Sequence, residues 1–267
     1  MPDFLEVCRH AALAGGEVLL SWRDRFSTRE KASRDLVTDA DLASQVAIRE
    51  VLLRAYPDHD FLGEESDPAD KVTAATSCAK KRYRWIVDPL DGTSNYVHRL
   101  QTFAVSIALE DQGRIVLGAI YDPILREFYH AEAGKGAFLN GRRLCTSNCQ
   151  TPGDALIAVS FSPHVPRDSV EIRRFIEGLL ACQSVRRLGS AALNLGYLAA
   201  GRLDGYWATS VHIWDVAAGI LLVREAGGIV THIGGGELDL DNPQFVASAS
   251  VSLHQHMLRL LAAAESQ

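Results

Sequence analysis

The chain has 267 residues, 47% of them apolar and 22% charged, and a formal net charge of −6. These values exclude a disordered chain and allow either one large domain or two packed halves. The acidic balance argues against a generalised nucleic-acid or anionic-membrane surface, so positive charge for a phosphorylated substrate would have to come from divalent cations on clustered carboxylates.

The first twenty residues carry Asp3, Glu6 and His10 within an apolar stretch and do not read as a signal peptide. No run reaches the length of a membrane span, so a soluble, cytoplasmic protein is expected. Five cysteines without a CxxC pair fit a reducing compartment, and Cys145 and Cys149 alone make a poor soft-metal site. Phe4, Val7, Ala11, Ala14 and Val18 recur at helical spacing and predict a helix over 3–23. A second is predicted over 39–55, with Thr38 and Asp39 as cap candidates and Pro57 beyond its end. Strands are predicted over 61–65, 84–88, 103–110, 114–122 and 126–133, joined by turn chemistry that makes much of this sheet antiparallel. After Pro152 strands and helices alternate: strand 155–161, helix 168–182, strand 184–188, helix 190–200, strand 204–208, helix 214–226 and strand 228–232. A strand over 245–250 and a helix over 251–264 close the chain. The polar stretch around 149–153 separates an N-terminal α+β half, 1–150, from a C-terminal α/β half, 151–267.

The chemistry concentrates in three acidic segments. In WIVDPLDGTSNYVH, 85–98, an apolar strand ends in Asp88 and runs into Asp91, Gly92 and Thr93. Pro89 and Gly92 bend the chain so that both acids and the Leu90 carbonyl can offer hard oxygen ligands to one cation. The amides of Gly92 and Thr93 can then open a helical turn toward a phosphate. GEES at 63–66 supplies Glu64 and Glu65, and WDVAAG at 214–219 puts Asp215 at a helix start. Each acid also has a plainer role, as a turn or helix cap, but three such segments together favour a metal and phosphate site. KKRYR at 80–84 reads as a solvated segment before a strand, and GGG at 234–236 as a turn. His98, His254 and His256 read as structural, the last two on different faces of one helix.

These segments resemble the three motifs of the inositol monophosphatase family, part of a wider lithium-sensitive, magnesium-dependent phosphatase superfamily. KASRDLVTDAD at 31–41 and LGSAALNLGYLAAGRLDGYW at 188–207 extend the likeness along nearly the whole chain. The resemblance implies an α/β (α+β layered) fold, the αβαβα sandwich of the inositol monophosphatase and fructose-1,6-bisphosphatase type, and a homodimer. It implies two or three Mg²⁺ ions held by Glu64, Asp88, Asp91, Asp215 and the Leu90 carbonyl, with Glu65 in support. Glu64, Thr93 and Asp41 become the catalytic group, Thr93 and Asp41 orienting the attacking water. Gly92, Thr93, Ala191 and Asp215 become the substrate-binding group.

The implied activity is hydrolysis of a small phosphorylated alcohol, such as inositol monophosphate, by cation-activated water. Sister phosphatases acting on histidinol phosphate, fructose 1,6-bisphosphate or a phosphoadenosine nucleotide share the core motifs, so the motifs leave the substrate open. A non-catalytic metal-binding or RNA-associated protein is the reading from another class, and the complete set of acids argues against it. Neither a nucleic acid nor a membrane is an expected partner. The chain departs from the family's pattern at Ala208, seven residues before Asp215, where many members carry a glutamate that contacts inositol hydroxyls. A methyl group cannot accept those bonds, which implies broader or different alcohol selectivity unless neighbouring Thr209, Ser210 or His212 compensates.

Overall fold

The computed structural model describes residues 3–32, 35–65, 81–162 and 164–265. Ser33, Arg34, Ser66, Cys78 and Lys80, each part of a sequence reading above, lie outside the described residues.

Helix α1 (Phe4–Trp22) is capped by Asp3, whose side chain accepts the Leu5 amide. A two-stranded hairpin, β1 (Thr28–Ala32) and β2 (Asp35–Thr38), leads into α2 (Asp39–Ala55). The start of α2 is set by a reciprocal cap: Thr38 receives a bond from the first turn, and the Asp41 carboxylate accepts the Thr38 amide. A seven-stranded sheet follows from β3 (Asp60–Gly63), β4 (Tyr83–Asp91), β5 (Ala104–Asp111), β6 (Arg114–Asp122), β7 (Glu127–Glu132), β8 (Gly136–Leu139) and β9 (Arg142–Arg143), in that spatial order. Only β3 with β4 is parallel; the remaining pairs are antiparallel. A short helix α3 (Thr93–Val97) leaves the end of β4.

The second sheet has five strands, ordered β11-β10-β12-β14-β13: β10 (Leu156–Ser160), β11 (Ser184–Arg186), β12 (Gly205–Ala208), β13 (Ile229–His232) and β14 (Phe245–Ser248). Strand β10 pairs in parallel with both β11 and β12. Between the strands run α4 (Val170–Ala181), α5 (Ala191–Ala199) and α6 (Ile213–Glu225), and α7 (Val251–Ala263) ends the chain.

Three apolar cores stack these elements into an αβαβα sandwich. Helices α1 and α2 cover one face of the large sheet through Leu19, Ile48, Trp85, Val87 and Ile107. The opposite face packs on α5 and α6, which also meet the small sheet, through Ile86, Ala104, Ile120, Leu195, Tyr206 and Leu222. The far side of the small sheet is covered by α4 and α7 through Ile157, Trp207, Leu253 and Met257. The large sheet is thus buried on both faces, which is why β4 to β6 read as nearly unbroken apolar runs.

Most predicted elements match to within a few residues, with informative differences. The predicted strand over 61–65 ends at Gly63: the Glu64 amide makes the last ladder bond, to the Val87 carbonyl, and the Glu65 amide goes to the Gln45 side chain instead. The β1–β2 hairpin and the short β8 and β9 were not predicted, being polar or only two to four residues long. Strand β4 runs on to Asp91 instead of stopping at Asp88.

The large sheet and α6 come into close backbone contact at Gly118 in β6. An added Cβ there would lie 2.7 Å from the Ala218 carbonyl oxygen and 2.8 Å from its Cα. Gly118→Ala should therefore lower stability by ~1–3 kcal/mol, a fall of ~2–4 °C in melting temperature per kcal/mol for a chain of this size. Gly153→Ala, whose Cβ meets nothing within 4 Å, is the control for a melting experiment. Equal melting of the two variants would show that this contact does not limit the packing.

Candidate active site

The site begins with an irregularity in β4. Asp88 pairs with Ser106 of β5 and Asp91 pairs with Ala104, so three steps on β4 answer two on β5. In a regular strand, residues three apart point to opposite faces. The extra residue corrects this: Leu90 joins Trp85 and Val87 in the α1–α2 core, while Asp88 and Asp91 both turn to the middle layer. Pro89 fits the bulge because it has no amide to withdraw from the ladder, and its carbonyl accepts the Ser44 hydroxyl at 3.0 Å.

Each acid is anchored by a backbone amide. Asp88 accepts the Leu90 amide at 2.9 Å, as an Asx turn. Asp91 reaches the N-terminus of α5, accepting the Ala191 amide at 3.1 Å, the Ala192 amide at 2.9 Å and the Ser190 hydroxyl. Asp215, in the first turn of α6, accepts the His212 amide at 2.7 Å and caps its own helix. The plainer capping roles are therefore real, and they coexist with convergence: Glu64, Asp88, Asp91 and Asp215 line one cavity of about 220 Å³. Leu90, Gly92, Thr93 and Ala191 line it too. Gly92 sits at φ +95°, and a Cβ would press on the Thr102 carbonyl at 2.9 Å, so the turn into α3 requires glycine. No side chain caps α3, whose first amides are at the cavity.

Asp41 is fully buried behind this wall and does not line the cavity. It is connected through Thr93, whose hydroxyl lies 3.1 Å from Asp41 Oδ1 and 3.1 Å from the Leu90 carbonyl. The Thr38 hydroxyl donates to the other Asp41 oxygen at 2.5 Å. The structure thus brings Glu64, Asp88, Leu90, Asp91, Gly92, Thr93, Ala191 and Asp215 to one cavity, with Asp41 one bond removed and Glu65 facing Gln45 through its amide. Ala208 is fully buried at the end of β12 and is not part of the cavity wall; the wall there is Ser160, its neighbour on β10, and Ser210. Sequence reasoning missed Ser160, Phe161, Arg187, Gly189 and Val211 of the lining, while Ser210, named beside Ala208, is part of it. Ser190 was not singled out, although it holds the pattern of a hydroxyl just before an apolar helix; Thr38 was, as a cap candidate of α2. His98 is exposed and outside the cavity, and His254 is buried between Ser248 and Thr231.

The electrostatics follow from burying like charges together. Burial first, then the charges of Glu64, Asp91 and Asp215, push the Asp88 carboxyl well above its ordinary range. Burial and the charges of Asp91 and Glu64 do the same to Asp215, which shares a hydrogen bond with Asp88. Two carboxyl groups in such contact need a proton or a cation between them. Asp91 is raised to about 6 by burial, against the lowering effect of its three donors. Asp41 is also raised to about 6, by burial against its Thr38 bonds. Among the described residues no three acid, histidine or cysteine side chains already enclose a point as a metal cage would. The capping bonds explain this, since each aspartate holds at least one oxygen toward an amide. The donor set itself, four carboxylates and the Leu90 carbonyl, is hard oxygen of the kind Mg²⁺ takes.

The chain matches the inositol monophosphatase family over residues 3–266. It is 45% identical over 226 residues to the inositol-1-monophosphatase of Mesorhizobium japonicum, covering 83% of this chain and 81% of the relative. It is 38% identical over 240 residues to the Nus factor SuhB of Escherichia coli, covering 88% and 87%. The crystal structure of the extragenic suppressor protein SuhB from Bartonella henselae superimposes with a TM-score of 0.87 at 39% identity, covering 96% of this chain and 97% of that one. A Thermotoga maritima IMPase structure gives a TM-score of 0.87 at 29% identity over 99% of each chain.

The raised carboxyls make a signed prediction for the cation-free protein. An acid with a raised folded pKa carries no stability penalty below about pH 4, where it is protonated folded and unfolded. The penalty grows as pH rises through the raised range and is complete above it. Asp88→Asn keeps the Leu90 bond and removes that penalty. In chelator, the variant should melt ~2–4 °C above the natural protein at pH 8 for each kcal/mol of relieved repulsion, and the difference should vanish near pH 4. A difference independent of pH would show that Asp88 is not under charge strain.

Proposed function

The chain belongs to the inositol monophosphatase family, and from that premise we propose that it is a Mg²⁺-dependent phosphomonoesterase acting on a small phosphorylated alcohol. The observation that carries this reading is the convergence of four acids, Glu64, Asp88, Asp91 and Asp215, on one cavity, with Asp88 and Asp91 buried. Such an arrangement is unfavourable by itself and becomes favourable around divalent cations.

Glu64, Asp88, Asp91, Asp215 and the Leu90 carbonyl would hold the ions, the first three from residues 1–150 and Asp215 from residues 151–267. When bound, Mg²⁺ supplies Lewis-acid charge neutralisation and lowers the pKa of a nearby water. The protein's own residues do the rest. The Gly92 and Thr93 amides, at the open end of α3, receive phosphate oxygens. The Thr93 hydroxyl has a single proton; donated to Asp41, it leaves the oxygen free to accept from the attacking water and so orient it for in-line displacement. Asp91 fixes the start of α5, and with it Ala191 on the cavity wall, while Asp215 faces the alcohol that departs.

The substrate is a small phosphomonoester, and the family's inositol phosphate stands first among candidates together with phosphates of histidinol and fructose. Ala208 supplies no acceptor for a polyol, and Ser160 and Ser210 offer hydroxyls in its place. The name Nus factor belongs to relatives such as that of Escherichia coli; in this chain the complete ring of acids favours catalysis over a purely non-enzymatic role. Li⁺ inhibition and a homodimer accompany the proposal as family properties, tested by titrating lithium at fixed magnesium and by sedimentation.

Phosphate release from inositol 1-phosphate, glycerol 2-phosphate, histidinol phosphate and fructose 1,6-bisphosphate should require Mg²⁺. Asp88→Asn should lower turnover by at least ~10²-fold, as for loss of one strong electrostatic stabiliser. The variant should also lose most of the melting-temperature rise that Mg²⁺ gives the natural protein. Near-normal turnover by Asp88→Asn, or phosphate release indifferent to Mg²⁺, would overturn the assignment.

A further inference from the structure

The cavity has two chemically different sides. The acids Glu64, Asp88 and Asp91 reach it from β4 and the turn beside it. The other side is built by the carboxyl ends of three neighbouring strands of the small sheet: Ser160 and Phe161 after β10, Arg187 after β11, Ser210 and Val211 after β12. Strands β10, β11 and β12 are mutually parallel, and parallel sheets bind ligands at that end.

Arg187 is the one cationic side chain among the described residues lining the cavity. It is exposed and forms no ion pair with any described acid, although four acids ring the same space. Its guanidinium is fixed nevertheless: it lies over the Phe161 ring, 4.6 Å from the centroid, and Nη2 donates to the Phe161 carbonyl at 3.2 Å. Nε and Nη1 make no hydrogen bond to the described residues. A stacked fork with free donors is preorganised for a planar or tetrahedral anion. Ser160 adds to the same wall, its oxygen accepting the Tyr206 hydroxyl at 2.9 Å, so that its own proton is available to a ligand.

We propose that Arg187 is the specificity-determining residue of the alcohol side, and that the preferred substrate carries a second anionic group, carboxylate or phosphate, on the alcohol it releases. The assignment rests on the phosphomonoesterase reading. The phosphate that is cleaved belongs at the acids and the Gly92–Thr93 amides, which leaves the guanidinium for charge elsewhere on the substrate.

A matched pair tests this: 2-phosphoglycerate differs from glycerol 2-phosphate by a carboxylate in place of a hydroxymethyl group. The natural protein should show ~10-fold or higher kcat/KM for 2-phosphoglycerate, expressed mainly in KM, the scale of a charge-assisted hydrogen bond. Arg187→Ala should collapse that ratio toward one, and Arg187→Lys should restore part of it, since charge is kept and the stacked fork is lost. Melting of both variants checks that the exposed position leaves folding intact. An unchanged ratio in Arg187→Ala, or a natural protein that prefers the neutral alcohol, would overturn the assignment while leaving the phosphatase reading standing. Absence of Mg²⁺-dependent phosphate release from either compound by the natural protein would overturn both.

Discussion

Asp91 fastens the two sheets to each other, and much of the architecture depends on that one carboxylate. It leaves the end of β4 and caps α5 through Ser190, Ala191 and Ala192. Helix α5 then packs on α6 and on β12, so the large sheet, the middle helices and the small sheet are placed relative to one acid. Nearby bonds reinforce the joint: the Asn95 amide donates to the Leu188 carbonyl at 2.8 Å, and the Ser106 hydroxyl to the Trp214 carbonyl at 3.2 Å. A carboxylate at a helix N-terminus meets the positive end of the peptide dipoles and two free amides, which is why it can be buried. The same burial raises its pKa to about 6.

Folding and chemistry therefore pull on these residues in opposite directions. An apolar or amide side chain at Asp88 or Asp215 would relieve repulsion and suit the interior better. In the proposed reading, the acids are retained for a site that would bind cations, although they lower the stability of the cation-free chain. This is the familiar conflict between stability and activity, localised here to one pair of touching carboxyl groups. The surrounding packing sustains the strain: Leu90, Val87 and Trp85 on one face, Ile86 and Ala104 on the other, are all essentially inaccessible to solvent.

The architecture was legible because the helices announce themselves by spacing and caps. The predicted bounds of α2, 39–55, are those observed, since Thr38 ends an extended segment and Asp41 answers it three residues later. The interior strands were legible from their apolar runs, whereas β1, β2, β8 and β9 were not, because strands that are polar or only two to four residues long have no distinctive pattern. The acids of the site were legible as motifs. What the sequence could not convey was the small-sheet wall: Ser160, Phe161 and Arg187 are common residues in unremarkable contexts, made neighbours only by the parallel ordering of β10, β11 and β12. Ala208 is the converse case, a position conspicuous in sequence that the fold encloses behind that wall.

The bulge at Asp88–Asp91 makes chain length, and not only composition, a condition of the site. Side chains alternate along a strand as a two-letter frame, and the added residue shifts that frame by one between the two acids. Adding or removing one residue between the two aspartates with the one-residue bulge kept would leave both acids in the sequence and turn one of them into the α1–α2 core. Substitutions within DPLD can thus be graded by chemistry, while a single insertion or deletion there acts as a frameshift written in backbone geometry.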